Sequence, residues 1–115
     1  LDSRNLERVA KRAMMGLART GGIASNGSGD FVLAFSNCEA NLVRSKTKTY
    51  NPVLLHNDDV SAIFLATIEA TAEAIWNSLF AAETMTGFKG KTVRALDREW
   101  AAGEILKAAS GVARR

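Results

Sequence analysis

The sequence predicts an α/β fold in which helices outnumber strands, and three observations carry that prediction. Apolar residues recur at helical spacing in three separate stretches. One further stretch, Asp30–Ser36, is an apolar run too short for a helix, with glycines just before it. The 115 residues are enough for one domain and a usable core, and with 47% hydrophobic residues, 23% charged residues and a single proline they have the composition of an ordered chain.

The first helix is read from Leu6, Val9, Ala10, Ala13, Met14 and Leu17, which share one face, while Glu7, Arg8, Lys11 and Arg12 occupy the others. Asp2 or Ser3 caps its start, and Gly21-Gly22 ends it. The second helix begins after Asp58 and Asp59, with a stripe running through Val60, Ile63, Phe64, Thr67, Ile68, Thr71, Ile75 and Leu79. Its many alanines predict close packing. A third helix starts near Asp97 with Trp100, Ala101, Ile105 and Leu106 facing inward, and frays into Val112–Arg115. Two stretches read as irregular, 37–57 and 83–96, the first an insertion with short strands expected at Asn41–Arg44 and Val53–Leu55.

Asp30–Ser36 is the one clear strand. Phe31, Val32, Leu33, Ala34 and Phe35 do not alternate with polar residues, the pattern of a central strand covered on both faces. Its backbone groups need partners, and the rest of the chain offers little strand to supply them. The sheet is therefore expected to be completed by another chain or by a precursor segment; the start at Leu1 rather than Met fits a processed product.

Charge and targeting signals exclude several classes. Fifteen basic against twelve acidic residues give a net charge of +3, scattered rather than clustered, so no nucleic acid partner is expected. No apolar run approaches the roughly 20 residues that span a bilayer, and no signal peptide opens the chain. The expected setting is soluble and cytoplasmic, with no membrane partner. Cys38 is the only cysteine and reads as an inert thiol. His56 is the only histidine, which argues against a zinc site or a Ser-His-Asp triad within this chain. Glu69 and Glu73 stand one turn apart and read as the wet face of the second helix. Lys46, Lys48, Lys89 and Lys91 read as solvated loop charge, with phosphate contacts the alternative. No metal or cofactor is expected.

The stretch with the most chemical content is Gly-Gly-Ile-Ala-Ser-Asn-Gly-Ser-Gly-Asp, residues 21–30, with four glycines in ten residues. Backbone of this kind can take positive φ and turn its amides toward an oxyanion. It is not a phosphate loop, because it lacks the Lys-Ser/Thr ending and precedes a strand instead of following one. Ser28 and Asp30 lie two apart, so an extended chain points them the same way and the carboxylate can orient the hydroxyl. Read from pattern alone, the stretch is either a plain helix-to-strand turn or a functional loop.

Three motifs in order, LERVAKRAMMGLARTGG, SNGSGDFVLAFS and LATIEATAEAIWNSLFAAETMTGFKGKTVRAL, resemble the small β-chain of the L-aminopeptidase/D-esterase and β-peptidyl aminopeptidase family, self-cleaving hydrolases related in fold to ornithine acetyltransferase. The resemblance covers nearly the whole chain apart from 37–57. It implies a layered αββα sandwich to which residues 1–115 contribute a single-domain β-chain fragment, with a larger α-chain from the same precursor as partner and a higher homo-oligomer of αβ units. It implies a nucleophile, serine or threonine, at the new terminus made by self-cleavage, about 10 residues upstream of Leu1. By position Ser28 would hydrogen-bond that nucleophile, Asp30 would orient Ser28, and the amide near Ser28-Gly29 would support the oxyanion. Asp30 stands where β-peptide-cleaving relatives tend to show glutamate, which tilts the expected substrate toward α-peptides, amides or esters. An inactive assembly or binding module of the same fold and an ornithine acetyltransferase-like acyl transferase are the alternative readings.

Overall fold

The computed structural model describes residues 1–46 and 48–112. Its elements in chain order are α1 (Ser3–Arg19), α2 (Ser61–Ala81), β1 (Met85–Thr86), β2 (Thr92–Val93) and α3 (Arg98–Val112), with short 3-10 turns at Glu39–Asn41, Asn57–Val60 and Phe88–Gly90. The chain packs as two compact units, Leu1–Ile75 and the remainder from Trp76. Among the described residues no helix is long and apolar enough to cross a membrane. The predicted fraying of the third helix beyond Val112 lies outside the described residues.

In the first unit, α1 begins and ends where its local chemistry dictates. The Asp2 carboxylate accepts from the Asn5 amide at 3.3 Å, satisfying one of the free donors of the first turn. At the other end, Gly22 N donates to Leu17 O at 3.2 Å and Gly21 N to Ala18 O at 3.1 Å, with Gly21 at φ +96. That paired closure with a left-handed glycine is a Schellman stop. On the wet face, Glu7 and Lys11 pair at 2.6 Å. The hydrogen bond from Lys11 and its charge hold the Glu7 carboxyl below its usual value, but both side chains are solvated, so the pair adds little to stability.

α2 enters through the 3-10 turn at Asn57–Val60, where Asp58 N donates to His56 Nδ1 at 3.4 Å and Val60 is fully buried. Its half-buried stripe follows the expected residues Ile63, Phe64, Thr67, Ile68, Thr71 and Ile75, joined by buried Ala72. The Thr67 and Thr71 hydroxyls donate to Ile63 O and Thr67 O, each at 2.7 Å, so these polar groups satisfy themselves along their own helix. Leu79, expected on the same stripe, is instead 43% exposed. α1 crosses this face at Gly16, where an added Cβ would lie 2.6 Å from Thr71 Cβ and 2.7 Å from Ile68 O. Only glycine lets the backbones approach so closely. Arg8 and Arg12 stack on the Phe64 ring at 4.9 and 3.9 Å, and Arg4 and Arg8 donate to Asn57 Oδ1, fastening the start of α2 to α1.

The predicted central strand Asp30–Ser36 is not part of a ladder with any described residue of this chain. Burial along it alternates as it does in an extended chain. Phe31, Leu33 and Phe35 are 97%, 87% and 81% exposed, while Ala34 and Ser36 are half-buried. The segment runs over α1 and α2, lining with Leu6, Val9, Thr67 and Thr71 a shallow cavity of about 380 Å³. A strand that is apolar on both faces needs neighbours to cover them, and here the outer face stays open.

The short strands expected at Asn41–Arg44 and Val53–Leu55 do not form. One side chain does the joining that a ladder would have done: Asn41 Oδ1 accepts from Val53 N at 2.8 Å and its Nδ2 donates to Val53 O at 3.0 Å. The amide copies the donor-acceptor pair of a strand residue and pins the two limbs of the 37–57 stretch.

In the second unit, the stretch read as irregular from Glu83 holds an antiparallel hairpin pairing Met85 with Val93 and Thr86 with Thr92. Its loop turns at Lys89 (φ +57) and Gly90 (φ +73), and the two threonine hydroxyls bond across the strands at 2.8 Å. Two-residue strands are too short to leave a periodic signal. Asp97 caps α3 by accepting from Trp100 N at 3.0 Å. Of the residues expected to face inward on α3, only Ala101 is buried; Trp100, Ile105 and Leu106 are 62%, 58% and 70% exposed. Their spacing shows that an apolar face exists, not that anything in this chain covers it.

Candidate active-site loop

The loop from Ser25 to Asp30 lies between the stop of α1 and the extended 30–36 segment. It is closed by Ser28 N donating to Ser25 O at 2.9 Å, which places Asn26 and Gly27 at the centre of a turn. Gly27 adopts φ +91, the left-handed value required at the third position of a type II turn. Ala24, just before the turn, also has positive φ at +48. The glycines are therefore used for the swing from helix to extended segment that their spacing predicts.

Ser28, Gly29 and Asp30 are all exposed. Among the described residues neither the Ser28 hydroxyl nor the Asp30 carboxylate has a hydrogen-bond partner, and none joins them to each other. The loop thus presents a hydroxyl, a carboxylate and the Gly29 backbone close together in sequence and open to solvent. Gly29 has room around it, since an added Cβ would come no nearer than 3.7 Å to Phe31. At the far end of the 30–36 segment, the Leu1 nitrogen lies 3.5 Å from Ser36 Oγ. Ser28 and Leu1 thus mark opposite ends of one segment.

The remaining candidates are dispersed. His56 is exposed and caps the turn into α2, 3.4 Å from the Asp58 carboxylate. Cys38 is a half-buried free thiol whose amide donates to Ser36 Oγ at 3.2 Å. Glu69 and Glu73 lie exposed on α2, and Lys46, Lys48, Lys89 and Lys91 are exposed in loops. Lys89 sits 5.4 Å from the Phe88 ring, and Lys91 borders with Met85, Phe88 and Val93 an open apolar cavity of about 590 Å³. Among the described residues no three His, Cys, Asp or Glu side chains gather as metal ligands would. Sequence reasoning missed the arginine stack on Phe64, although Arg4, Arg8 and Arg12 recur every fourth residue and so share a helix face.

Comparison with known proteins places this loop in a family context. The curated protein "Beta-peptidyl aminopeptidase BapA" of Sphingosinicella microcystinivorans is 44% identical over 91 residues, covering 79% of this chain and 23% of the relative. The protein of the same name from Sphingosinicella xenopeptidilytica is 37% identical over 106 residues, covering 90% and 26%. The chain therefore spans about a quarter of the length of these relatives. Among solved structures, the PH0078 protein from Pyrococcus horikoshii OT3 superimposes with a TM-score of 0.83 at 44% identity, over 95% of this chain and 31% of that one. The family model for peptidase family S58 matches residues 1–93, which take in α1, the 25–30 loop, α2 and the hairpin. This chain belongs to peptidase family S58.

Proposed function

We propose that this chain is the β-chain portion of an autoprocessed serine aminopeptidase and esterase, which releases N-terminal residues from peptides, amides or esters through an acyl-enzyme. The observation that carries the reading is the pairing of an exposed Ser28-Gly29-Asp30 loop at one end of the 30–36 segment with Leu1 at the other. A strand arriving at Leu1 alongside this segment, with its upstream end toward Ser28, would run parallel to it. Ser36 lies eight positions after Ser28, so a residue some 8 to 10 positions before Leu1, about 26 to 33 Å back along an extended chain, would come to lie beside Ser28. That residue is the nucleophile in this reading.

Its hydroxyl attacks the substrate carbonyl while its own free α-amino group takes the proton. Ser28 holds the attacking oxygen by a hydrogen bond, Asp30 orients Ser28, and the Gly29 backbone supplies an amide toward the developing oxyanion. Collapse of the tetrahedral species breaks the bond to the leaving amine or alcohol, which departs with the proton. Water then attacks the acyl-enzyme and restores the free hydroxyl. The same strand would supply backbone partners for 30–36. A larger α-chain from the same precursor would complete the αββα sandwich and cover Phe31, Leu33 and Phe35, and αβ units would associate further into a homo-oligomer.

The two curated relatives carry β-peptidyl aminopeptidase names, whereas Asp30 is the shorter acid, so amides of both β-alanine and L-alanine belong in the assay. The purified full-length protein is expected to release nitroaniline from at least one of these two anilides. A folded, correctly processed protein inert toward both would overturn the enzyme reading and favour an assembly module of the same fold.

A further inference from the structure

The chain has seven asparagines, and in six of them the next backbone nitrogen is engaged or lacks a hydrogen. Leu6 N, after the buried Asn5, donates to Asp2 O; Cys38 N donates to Ser36 Oγ; Leu42 N donates to Glu39 O; Asp58 N donates to His56. Asn51 precedes proline, which has no N–H, and Asn77 lies inside α2. Asn41 and Asn57 also have their own amides committed, to Val53 and to Arg4 and Arg8.

Asn26 differs on every count. It is exposed, its side chain has no partner among the described residues, and it is followed by Gly27, whose N–H is likewise unpartnered there. Apart from its chain neighbours, nothing lies within 4 Å of where a Gly27 Cβ would be, so the turn is open around that residue.

We propose that Asn26-Gly27 is a site of spontaneous modification, at which the asparagine loses ammonia through a cyclic imide. The Gly27 N–H gives its proton to hydroxide, and the nitrogen forms a bond to Asn26 Cγ. The Cγ–Nδ2 bond then breaks, and ammonia leaves with a proton from water. Water opens the imide at one carbonyl or the other, giving aspartate or isoaspartate; in isoaspartate the main chain runs through the former side-chain carbon. Either product adds a negative charge two residues before Ser28, and isoaspartate also lengthens the turn from which Ser28 and Asp30 project. No oxidant or enzyme is required.

The test is to incubate the purified full-length protein in mildly alkaline buffer and map its peptides. The peptide from Thr20 to Arg44 is expected to gain about one mass unit with time, with isoaspartate located at position 26 by fragmentation. The Asn26→Gln variant, which must close a larger ring, is expected to leave that peptide unchanged. An unchanged wild-type peptide under conditions in which the denatured chain converts would overturn the proposal, because it would mean that the folded turn protects Asn26. The effect on activity rests on the reading of Ser28 and Asp30 above: turnover is expected to fall in step with conversion in the wild type and to hold in Asn26→Gln. Conversion without loss of turnover would overturn that link while leaving the mass result in place.

Discussion

Replacing Ser28 with alanine in the full-length protein is expected to lower kcat by about 10²- to 10³-fold, the scale of losing one preorganised donor beside a reacting oxygen. Folding should survive. The Ser28 side chain is exposed and, among the described residues, has no hydrogen-bond partner to lose, so its removal should cost no more than about 0.5 kcal/mol of stability. The turn itself is closed by Ser28 N and Ser25 O, backbone groups that the substitution leaves in place. KM should change little, because the hydroxyl acts on the nucleophile and not on the bound substrate. Asp30→Asn should lower kcat less, since Asp30 acts through Ser28. Steady-state kinetics on alanine and β-alanine anilides separate these cases, and wild-type turnover in Ser28→Ala would remove Ser28 from the mechanism.

Gly16→Ala is the substitution expected to cost most in stability. In an open helix the change would gain about 1 kcal/mol, because alanine loses less conformational freedom than glycine on folding. At Gly16 the new Cβ would meet Thr71 Cβ at 2.6 Å and the Ile68 carbonyl at 2.7 Å. One of these atoms is backbone and the other is anchored next to it, so neither can swing aside. Overpacking of this kind costs about 1–3 kcal/mol and outweighs the gain. Shaving Thr71 to alanine should not rescue it, because Cβ and the Ile68 carbonyl remain. Gly103 in α3 is the contrasting case: nothing lies within 4 Å of an added Cβ, so Gly103→Ala should stabilise by about 0.5–1 kcal/mol. Denaturant unfolding of the two variants beside the wild type gives both signs in one experiment, and a stabilised Gly16→Ala would contradict the close crossing of α1 and α2.

The same residues show where sequence is informative. Helix ends were legible because their chemistry is local: Asp2 and Asp97 each bond the amide three residues on, and Gly21-Gly22 closes α1 through its own last carbonyls. Gly16 was not legible. Within its own helix it looks like a weak point, and only the approach of α2 explains it. The 30–36 run reads as a central strand covered on both faces, but a ladder depends on a neighbour, and none of the described residues provides one. Trp100, Ile105 and Leu106 failed for the same reason, since helical periodicity marks a face without saying what meets it. In the 25–30 loop, spacing alone recovered the turn. Roles for Ser28 and Asp30 came from the family motif, because a serine and an aspartate two apart are too common to imply chemistry by themselves.

In the proposed enzyme this chain works beside a nucleophile created by cleavage a short strand upstream of Leu1. Intact mass spectrometry of the native, full-length protein tests it most directly. Two polypeptides are expected, the smaller beginning with serine or threonine some 8 to 10 residues before Leu1, a strand's length, and containing the sequence described here. A single uncleaved polypeptide that still turns over substrate would contradict it.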